Sequence, residues 1–358
     1  MSKKPLILGI ESSCDETAAS IITENNQGYP IILSNVISSQ VDVHKDFGGV
    51  VPELAARSHL EKIDWIVKKA INDSGIKINE IDAVASTAGP GLVVCLSVGL
   101  NFGKALSSSL NKPFIAVNHL EGHALSPKIN SKLNFPNLLL LISGGHSQFL
   151  SVEGFGKYKR LGTTIDDALG EAFDKTAKLL GLEFPGGPQI EKFAEKGDPN
   201  KFQLPKPIFN KGGCNLSFAG LKTAILKIAK SIKTDQEKYD LAASFQKTIN
   251  EILFKKTSVA FKEFEKLNIA SKEKIFVVAG GVAANKKIRL MLQNLCKEKG
   301  YQNMFPPIDL CGDNAAMIAM VGLEKFKLKK FENLDYPVKP RWPLDEDAPF
   351  LKGAGITL

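Results

Sequence analysis

The chain has 358 residues, 44% of them hydrophobic, and this length and composition favour two globular domains over one. It has no run of about 18 or more apolar residues and no signal-peptide core after Met1, which argues against membrane-spanning and secreted classes and predicts a cytoplasmic protein. The five cysteines are scattered without C-x-x-C spacing, which indicates reduced thiols rather than disulfides or a zinc ribbon. Any metal must therefore be bound by histidine and carboxylate.

The net charge of +8 permits binding to a nucleic acid or another polyanion. Nearly all of the positive charge is lysine spread over many segments, which is typical of a solvated surface. No compact basic stripe with interleaved aromatic residues is evident. Three short basic stretches, at 157–160, 206–211 and 286–289, could each contact phosphates.

The first third of the chain predicts an α/β pattern. An apolar run at 6–10, a polar turn at 11–17 and a second apolar run at 18–23 predict a β-hairpin. Hydrophobic periodicity then predicts alternating helices and strands: a helix at 52–72, a strand at 83–88, a helix at 93–110 and a strand at 114–117.

A second α/β unit is predicted to begin at 137–142, whose apolar run is typical of a strand buried on both faces. The elements expected after it are hairpin partners at 151–152 and 158–161, helices at 166–180, 221–232 and 239–264, a strand at 275–279 and a helix at 284–299. Each half opens with a strand followed by a polar or glycine-rich turn. This pattern suggests duplicated ribonuclease-H-like domains around a central cleft.

His119 and His123 form a candidate metal pair. On a helix, positions i and i+4 share a face, so both imidazoles could reach one cation. Glu121 lies roughly 200° around the same helix from His119, which disfavours the metal-side base of a peptidase. The alternative is that the two histidines satisfy ordinary hydrogen bonds.

Three glycine pairs, Gly144-Gly145, Gly186-Gly187 and Gly280-Gly281, form candidate phosphate-binding turns. Backbone N–H groups can approach a phosphate closely only where no Cβ intrudes. Each pair alone predicts only a turn, and neither a P-loop nor a G-x-G-x-x-G motif is present. Together with polar neighbours, they favour a nucleotide cleft of another class.

The chain resembles the bacterial TsaD family, the tRNA adenosine threonylcarbamoyltransferases. The similar motifs occur in order along nearly the whole chain: GIESSCDET at 9–17, GGVVPE at 48–53, HLEGH at 119–123, ISGGH at 142–146, AFDK at 172–175, SFAGLK at 217–222, GGVAAN at 280–285, CGDN at 311–314 and PRWP at 340–343. The resemblance implies an α/β protein with two ribonuclease-H-like domains of the actin-like, sugar-kinase-like (ASKHA) fold. We expect the first domain at 1–135, completed by residues from about 315 on, and the second at 136–314, carrying most of the nucleotide site.

The resemblance also implies an activity and its site residues. The family transfers threonylcarbamoyl from threonylcarbamoyl-AMP to the exocyclic amine of the adenosine 3′ to the anticodon, in tRNAs that read codons beginning with A. The implied metal ligands are His119, His123 and Asp313, which would hold one divalent ion, iron(II) in preference to zinc. The implied adenylate-binding residues are Ile142, Ser143, Gly144, Gly145, His146, Asp174, Gly187, Glu191 and Asn285. Glu191 departs from the family pattern, because many relatives have Asp there.

Asp15 is the candidate for positioning the attacking amine or accepting its proton, since the resemblance places its motif at the cleft. The alternative is that Asp15 only closes its turn. The resemblance further implies tRNA, a degenerate paralogue subunit (TsaB-like) and a small ATPase (TsaE-like) as partners. Three other functions remain open on the residues alone: a small-molecule kinase of the same fold, a metallopeptidase and a nucleotide-dependent scaffold.

Overall fold

The structure is a computed structural model that describes residues 4–129, 131–267 and 273–349. It divides the chain into two compact units. Unit 1 is formed by the described residues of Met1–Leu133 and Pro306–Glu346, and unit 2 by those of Asn134–Phe305 and Asp347–Leu358.

Each unit is built on a five-stranded mixed sheet. The strands of unit 1 are β1 (Ile7–Glu11), β2 (Glu16–Glu24), β3 (Pro30–Ser39), β4 (Ala83–Gly89) and β5 (Phe114–Asn118). Those of unit 2 are β6 (Asn137–Ile142), β7 (Ser147–Gly154), β8 (Lys157–Thr163), β9 (Ile275–Ala279) and β10 (Gln302–Met304). The strand orders are β3-β2-β1-β4-β5 and β8-β7-β6-β9-β10.

The two sheets share one topology. In each, the first three strands form an antiparallel meander, and the remaining two run parallel to the first. This correspondence confirms the predicted duplication. Because the carboxyl ends of parallel strands meet at one edge, β1, β4 and β5 deliver their following residues to the same place, and so do β6 and β9.

Ten α-helices accompany the sheets in the described part of the chain. They are α1 (Val41–His44), α2 (Pro52–Ser74), α3 (Val93–Leu110), α4 (His119–Leu125), α5 (Leu169–Leu179), α6 (Gly186–Ala194), α7 (Ala219–Ala229), α8 (Asp235–Lys266), α9 (Lys286–Lys299) and α10 (Ala315–Lys327). By length and composition alone α3 could cross a membrane, but it packs against β4 and α2, and the core helix of a globular unit passes the same test.

Helix α10 lies on β1 at very short range, and this contact positions the segment that precedes it. A Cβ added to Gly9 would come within 2.5 Å of the Ala315 carbonyl oxygen, so only glycine permits the approach. All of the residues from Ala315 to Leu323 are buried. Asp313, two residues before the helix, is thereby held near the carboxyl end of β1.

The helix predicted at 166–180 begins only at Leu169. The Asp166 carboxylate instead accepts hydrogen bonds from Phe218 N (2.7 Å) and Ala219 N (3.2 Å), and so caps α7. Ser147 Oγ accepts from Leu169 N (2.8 Å). Residues 165–167 therefore form a bend before α5, whereas the sequence pattern predicts that the helix begins at 166.

Candidate metal centre and nucleotide site

His119 and His123 occupy one face of α4, directly after β5. Asn118 fixes the start of this helix, because its Oδ1 accepts hydrogen bonds from Leu120 N (2.9 Å) and Glu121 N (3.4 Å). Both imidazoles reach the same carboxylate: Asp313 Oδ1 lies 3.1 Å from His123 Nε2 and 3.5 Å from His119 Nε2. One ligand atom from each of the three residues lies within 4.8 Å of the other two.

Glu11, at the carboxyl end of β1, contacts the ring nitrogen of His119 that does not face Asp313. Its Oε2 lies 3.1 Å from His119 Nδ1, and it also accepts a 2.6 Å hydrogen bond from the Thr87 hydroxyl. The other oxygen, Oε1, accepts from Ser13 N at 2.5 Å. No local sequence pattern indicates a role for Glu11, since only the pairing of β1 with β4 and β5 brings it next to His119.

The charges of this cluster depend on one another. Burial alone would raise the pKa of Glu11, but the adjacent His119 reverses this and lowers it. Burial would likewise raise the pKa of Asp313, yet His119 and His123 hold it well below its usual range. For His119, burial opposes the charged form, and Asp313 and Glu11 overcome it and raise the pKa well above 6.5.

Two imidazoles and one carboxylate form a donor set that suits iron or zinc and leaves coordination positions open for substrate. Nε2 of His123 faces the Asp313 carboxylate, while its Nδ1 is buried and has no hydrogen-bond partner among the described residues. Glu11 provides the outer carboxylate that metal-binding histidines usually have. The group could therefore hold a divalent metal ion, and its residues fit that role. Glu121 is buried on α4 but is not one of the three.

Asp15 lies in the turn between β1 and β2 and is 9% exposed. Residues outside the turn contact two of its backbone oxygens: Asp15 O accepts a hydrogen bond from Gln40 N (3.1 Å), and Cys14 O lies 3.0 Å from His59 Nε2. Burial lowers the pKa of His59, which favours the neutral imidazole.

Burial, Asp313 and Asp15 together raise the pKa of Glu16 well above its usual value. Asp15 thus adjoins a carboxyl group that tends to keep its proton.

Ser143, Gly144, Gly145 and His146 form the loop that joins β6 to β7 after Ile142. Ser143 N donates to His146 O (2.8 Å), and His146 N donates to Ser143 Oγ (3.1 Å). Among the described residues, the N–H groups of Gly144 and Gly145 have no acceptor, and both glycines are exposed. Two free, adjacent amides are what a phosphate-binding turn requires.

Two other chain segments approach this loop at glycines. Gly280, at the end of β9, has φ +94°, and an added Cβ would lie 2.4 Å from Ile142 O. At the start of α5, a Cβ on Gly170 would lie 2.7 Å from Ser143 O. The loop, the turn after β9 and the first turn of α5 therefore meet at one edge of the second sheet.

The remaining predicted nucleotide residues lie on the same unit, and three of them cap helices. Asp174 Oδ1 accepts from Gly186 N (2.7 Å), at the start of α6 beside Gly187. Glu191 Oε1 accepts from Lys286 N (2.7 Å), and Asn285 Oδ1 accepts from Ile288 N (3.0 Å), both in the first turn of α9. The longer arm of Glu191 is thus engaged with α9. These bonds fix α6 and α9, and any contact with a nucleotide uses the remaining polar atoms.

Two solved structures share this architecture. The chain matches full-length HypF in its phosphate- and nucleotide-bound form with a TM-score of 0.56 and 13% identity, covering 93% of this chain and 48% of that one. It matches T. kodakarensis HypF with a TM-score of 0.58 and 15% identity, covering 91% and 48%. The chain spans about half the length of either HypF chain. The likeness shows the fold alone, and with the duplicated sheets it defines a protein of the actin-like, sugar-kinase-like (ASKHA) class.

Within that class, the chain belongs to the TsaD family, described as tRNA N6-adenosine threonylcarbamoyltransferase, which matches residues 31–320. It is 78% identical over 358 residues to the protein of that name from Pelagibacter ubique (strain HTCC1062), covering 100% of both chains. It is 54% identical over 342 residues to the one from Rickettsia massiliae (strain Mtu5), covering 95% of this chain and 98% of the relative. The predicted family is confirmed, and with it an acyltransferase; the kinase and peptidase alternatives are not favoured.

Proposed function

We propose that this chain transfers threonylcarbamoyl from threonylcarbamoyl-AMP to the N6 amine of the adenosine 3′ to the anticodon, in tRNAs that read codons beginning with A. Family membership supports the tRNA substrate. The observation that carries the chemistry is the His119, His123 and Asp313 group at the carboxyl edge of the first sheet. The adenylate is assigned to the glycine loop of unit 2.

The reaction replaces one bond to the carbamoyl carbon by another. The adenine N6 forms a bond to that carbon, the bond from carbon to the phosphate oxygen breaks, AMP leaves, and N6 loses a proton. An adenine amine is a poor nucleophile because its lone pair is delocalised into the ring. The enzyme must therefore activate the carbon, stabilise the leaving phosphate and accept the proton.

His119, His123 and Asp313 would hold one divalent ion, iron(II) in our proposal, with zinc as the alternative. When bound, the ion would supply Lewis-acid polarisation of a substrate oxygen and would orient the substrate. Glu11 keeps the His119 ring in place by accepting its Nδ1–H, which leaves Nε2 as the ligand atom. Asp15 would orient the N6 amine or accept its proton.

In unit 2, the free amides of Gly144 and Gly145 would donate to the phosphate and stabilise the negative charge that grows on it as the bond breaks. Ile142, Ser143 and His146 shape this loop. Asp174, Gly187, Glu191 and Asn285 would contact the adenosine. The five cysteines are free thiols, which supports a cytoplasmic site of action.

The partners are proposed from the family resemblance: a degenerate paralogue subunit (TsaB-like) and a small ATPase (TsaE-like). The test is a reconstitution with tRNA, bicarbonate, threonine, ATP, the adenylate-forming enzyme, both partners and this chain, followed by nucleoside analysis. Threonylcarbamoyl-adenosine should form only when the chain is present. The Pelagibacter ubique relative in the same mixture provides the positive control. If that relative modifies tRNA and this chain does not, the proposed function is wrong.

A further inference from the structure

Unit 2 contains a cavity of about 680 Å³ to which no function has yet been assigned. It lies between the segment that follows α6 and the helices α8 and α9. Its cationic and apolar walls include Lys206, Phe209, Lys247, Phe254, Lys287 and Met291. None of the proposed metal ligands or adenylate contacts lines it.

The cavity brings together two of the basic stretches seen in the sequence. Lys206 belongs to the stretch at 206–211 and Lys287 to that at 286–289, about 80 residues further on. Lys247, on α8, lies between them in sequence, and its Nζ donates to Asn200 Oδ1 at 2.6 Å. Three lysines from three segments thus line one cavity.

Two carboxylates line the same cavity, and the balance is still positive. Glu251 forms an ion pair with Lys206 and lies 3.9 Å from Lys247, while Glu195 is the second acid. Three lysines against two glutamates leave a surplus of one positive charge.

Aromatic rings lie beside these cations. Phe254 is 41% exposed, although transfer of a phenyl ring out of water is favourable. Phe209 has the Lys206 ammonium 5.3 Å from its ring centroid. Aromatic faces with adjacent cations are the combination that binds unpaired nucleotides, because the base stacks and the phosphate pairs with the charge.

The walls are fixed in place. Lys256 is 1% exposed, and its Nζ donates to Lys211 O (2.9 Å) and Gly213 O (3.3 Å), which anchors the loop that carries Lys206 and Phe209. Gln246, which also lines the cavity, accepts a 2.8 Å hydrogen bond from Asn285 Nδ2. Two of the first three amides of α9, Lys286 N and Ile288 N, already donate to Glu191 Oε1 and Asn285 Oδ1, which leaves the lysine side chains as the main groups available to an anion here.

We propose that this cavity binds an unpaired nucleotide of the substrate tRNA, with its base against Phe209 and Phe254 and its phosphates at Lys247 and Lys287. The inference rests on the proposed function, since tRNA is the polyanion on which the chain would act. It adds a contact remote from the reacting atoms. Such a contact contributes to tRNA affinity and leaves the binding of the adenylate unchanged.

The test compares two double variants in the full chain with its partners. Lys247→Ala/Lys287→Ala removes the two proposed phosphate contacts. Lys227→Ala/Lys262→Ala removes two exposed lysines of the same unit that do not line the cavity, so it matches the change in net charge. Anisotropy of labelled tRNA is measured at several salt concentrations, and AMP binding is measured by calorimetry.

We expect the cavity variant to bind tRNA about 10-fold more weakly at about 0.1 M salt. The slope of log affinity against log salt concentration should become shallower by about 1.4 to 1.8, the value for two lost phosphate contacts. The control variant should keep both the affinity and the slope within about 2-fold of the wild type, and both variants should bind AMP normally. Phe254→Ala should weaken tRNA binding by about 5- to 100-fold through lost stacking.

Three results would overturn the inference. One is that wild type and cavity variant bind tRNA with equal affinity and slope, including no binding by either. Another is that the cavity variant loses AMP affinity, which would make this an adenylate pocket. The third is that it loses a partner protein while keeping its tRNA affinity. Wild-type protein that binds tRNA through this cavity but never modifies it would refute the proposed function and not the cavity.

Discussion

Glu11 Oε2 lies 3.1 Å from Nδ1 of His119, so a carboxylate on the first strand of the chain sets the orientation of an imidazole 108 residues later. The two meet because β1 and β5 both run parallel to β4, and their carboxyl ends share an edge. Glu11 is fully buried and already accepts from Thr87 and Ser13. It can therefore accept from His119 only as a carboxylate held in one position.

Glu11→Gln should weaken metal binding by about 10- to 100-fold, the usual cost of losing an outer-shell carboxylate. The amide NH₂ of Gln would face a donor, Thr87 Oγ1 or Ser13 N, and the His119 ring would lose its fixed orientation. Metal content after dialysis against a graded chelator is the readout. His123→Ala removes a proposed ligand and gives the reference value for loss of metal binding. Glu53→Gln, on the exposed face of α2, is the matched control. Wild-type metal retention by a folded Glu11→Gln protein would contradict this role.

Metal binding should release a proton and strengthen as the pH rises. Asp313 and Glu11 raise the pKa of His119 well above 6.5, so the metal-free protein favours the charged form of this imidazole. A metal needs the neutral ring and must displace the proton. The stability of the metal-free fold depends on pH in the opposite direction. The ion pairs of His119 stabilise this fold fully at a pH below the ordinary pKa of histidine, and the stabilisation is lost as the pH rises through the raised pKa of His119.

Calorimetric metal titrations at about pH 6 and 8, in buffers of different ionisation enthalpy, measure the released protons. The affinity should be higher at the upper pH, and the heat should depend on the buffer. An affinity that is the same at both pH values, with no buffer dependence, would show that His119 carries no proton in the metal-free protein.

Gly145→Val should abolish adenylate binding while the protein stays folded. An added Cβ at Gly145 meets no protein atom within 4 Å, so the substitution disturbs only what binds in front of the loop. There the side chain would push a phosphate away from the two free amides. Gly212→Val, another open glycine of unit 2 without positive φ, is the control. Unchanged AMP or ATP affinity in Gly145→Val would make the loop purely structural.

Much of the fold follows from periodicity, and the failures have identifiable causes. The sequence predicts the helix Val93–Leu110 and the strands Asn137–Ile142 and Ile275–Ala279 with the bounds that the structure has. It predicts neither Pro30–Ser39 nor Ala315–Lys327. The latter is buried on nearly every side over its first nine residues, so it has no polar face to reveal a helical period.

The site was less accessible from local patterns. The i, i+4 spacing alone brings His119 and His123 together, whereas Asp313 is 190 residues from His123 and was predicted only through the family resemblance. Glu11 carries no local signal at all, because its role depends on the pairing of three distant strands. Local sequence describes elements well, but tertiary contacts decide which polar residues meet.

Asp15→Asn should fold, bind metal and adenylate, and still lose most of the transfer reaction. The substitution keeps the size and the backbone bond from Gln40 N but removes the negative charge. A residue that only closes its turn would be little affected, whereas a base typically contributes about 10² to 10⁴ in rate. The measurement is the single-turnover rate of tRNA modification. Near-wild-type turnover would return Asp15 to a structural role.

The most direct test of the whole account supplies purified threonylcarbamoyl-AMP as the only acyl donor, without ATP, to substrate tRNA and an excess of this chain with its partners. Nucleoside mass spectrometry and AMP release are followed through one turnover. We expect threonylcarbamoyl-adenosine and AMP in equal amounts, and we expect Asp15→Asn to lose both. AMP release without a modified nucleoside, or modification that Asp15→Asn leaves intact, would contradict it.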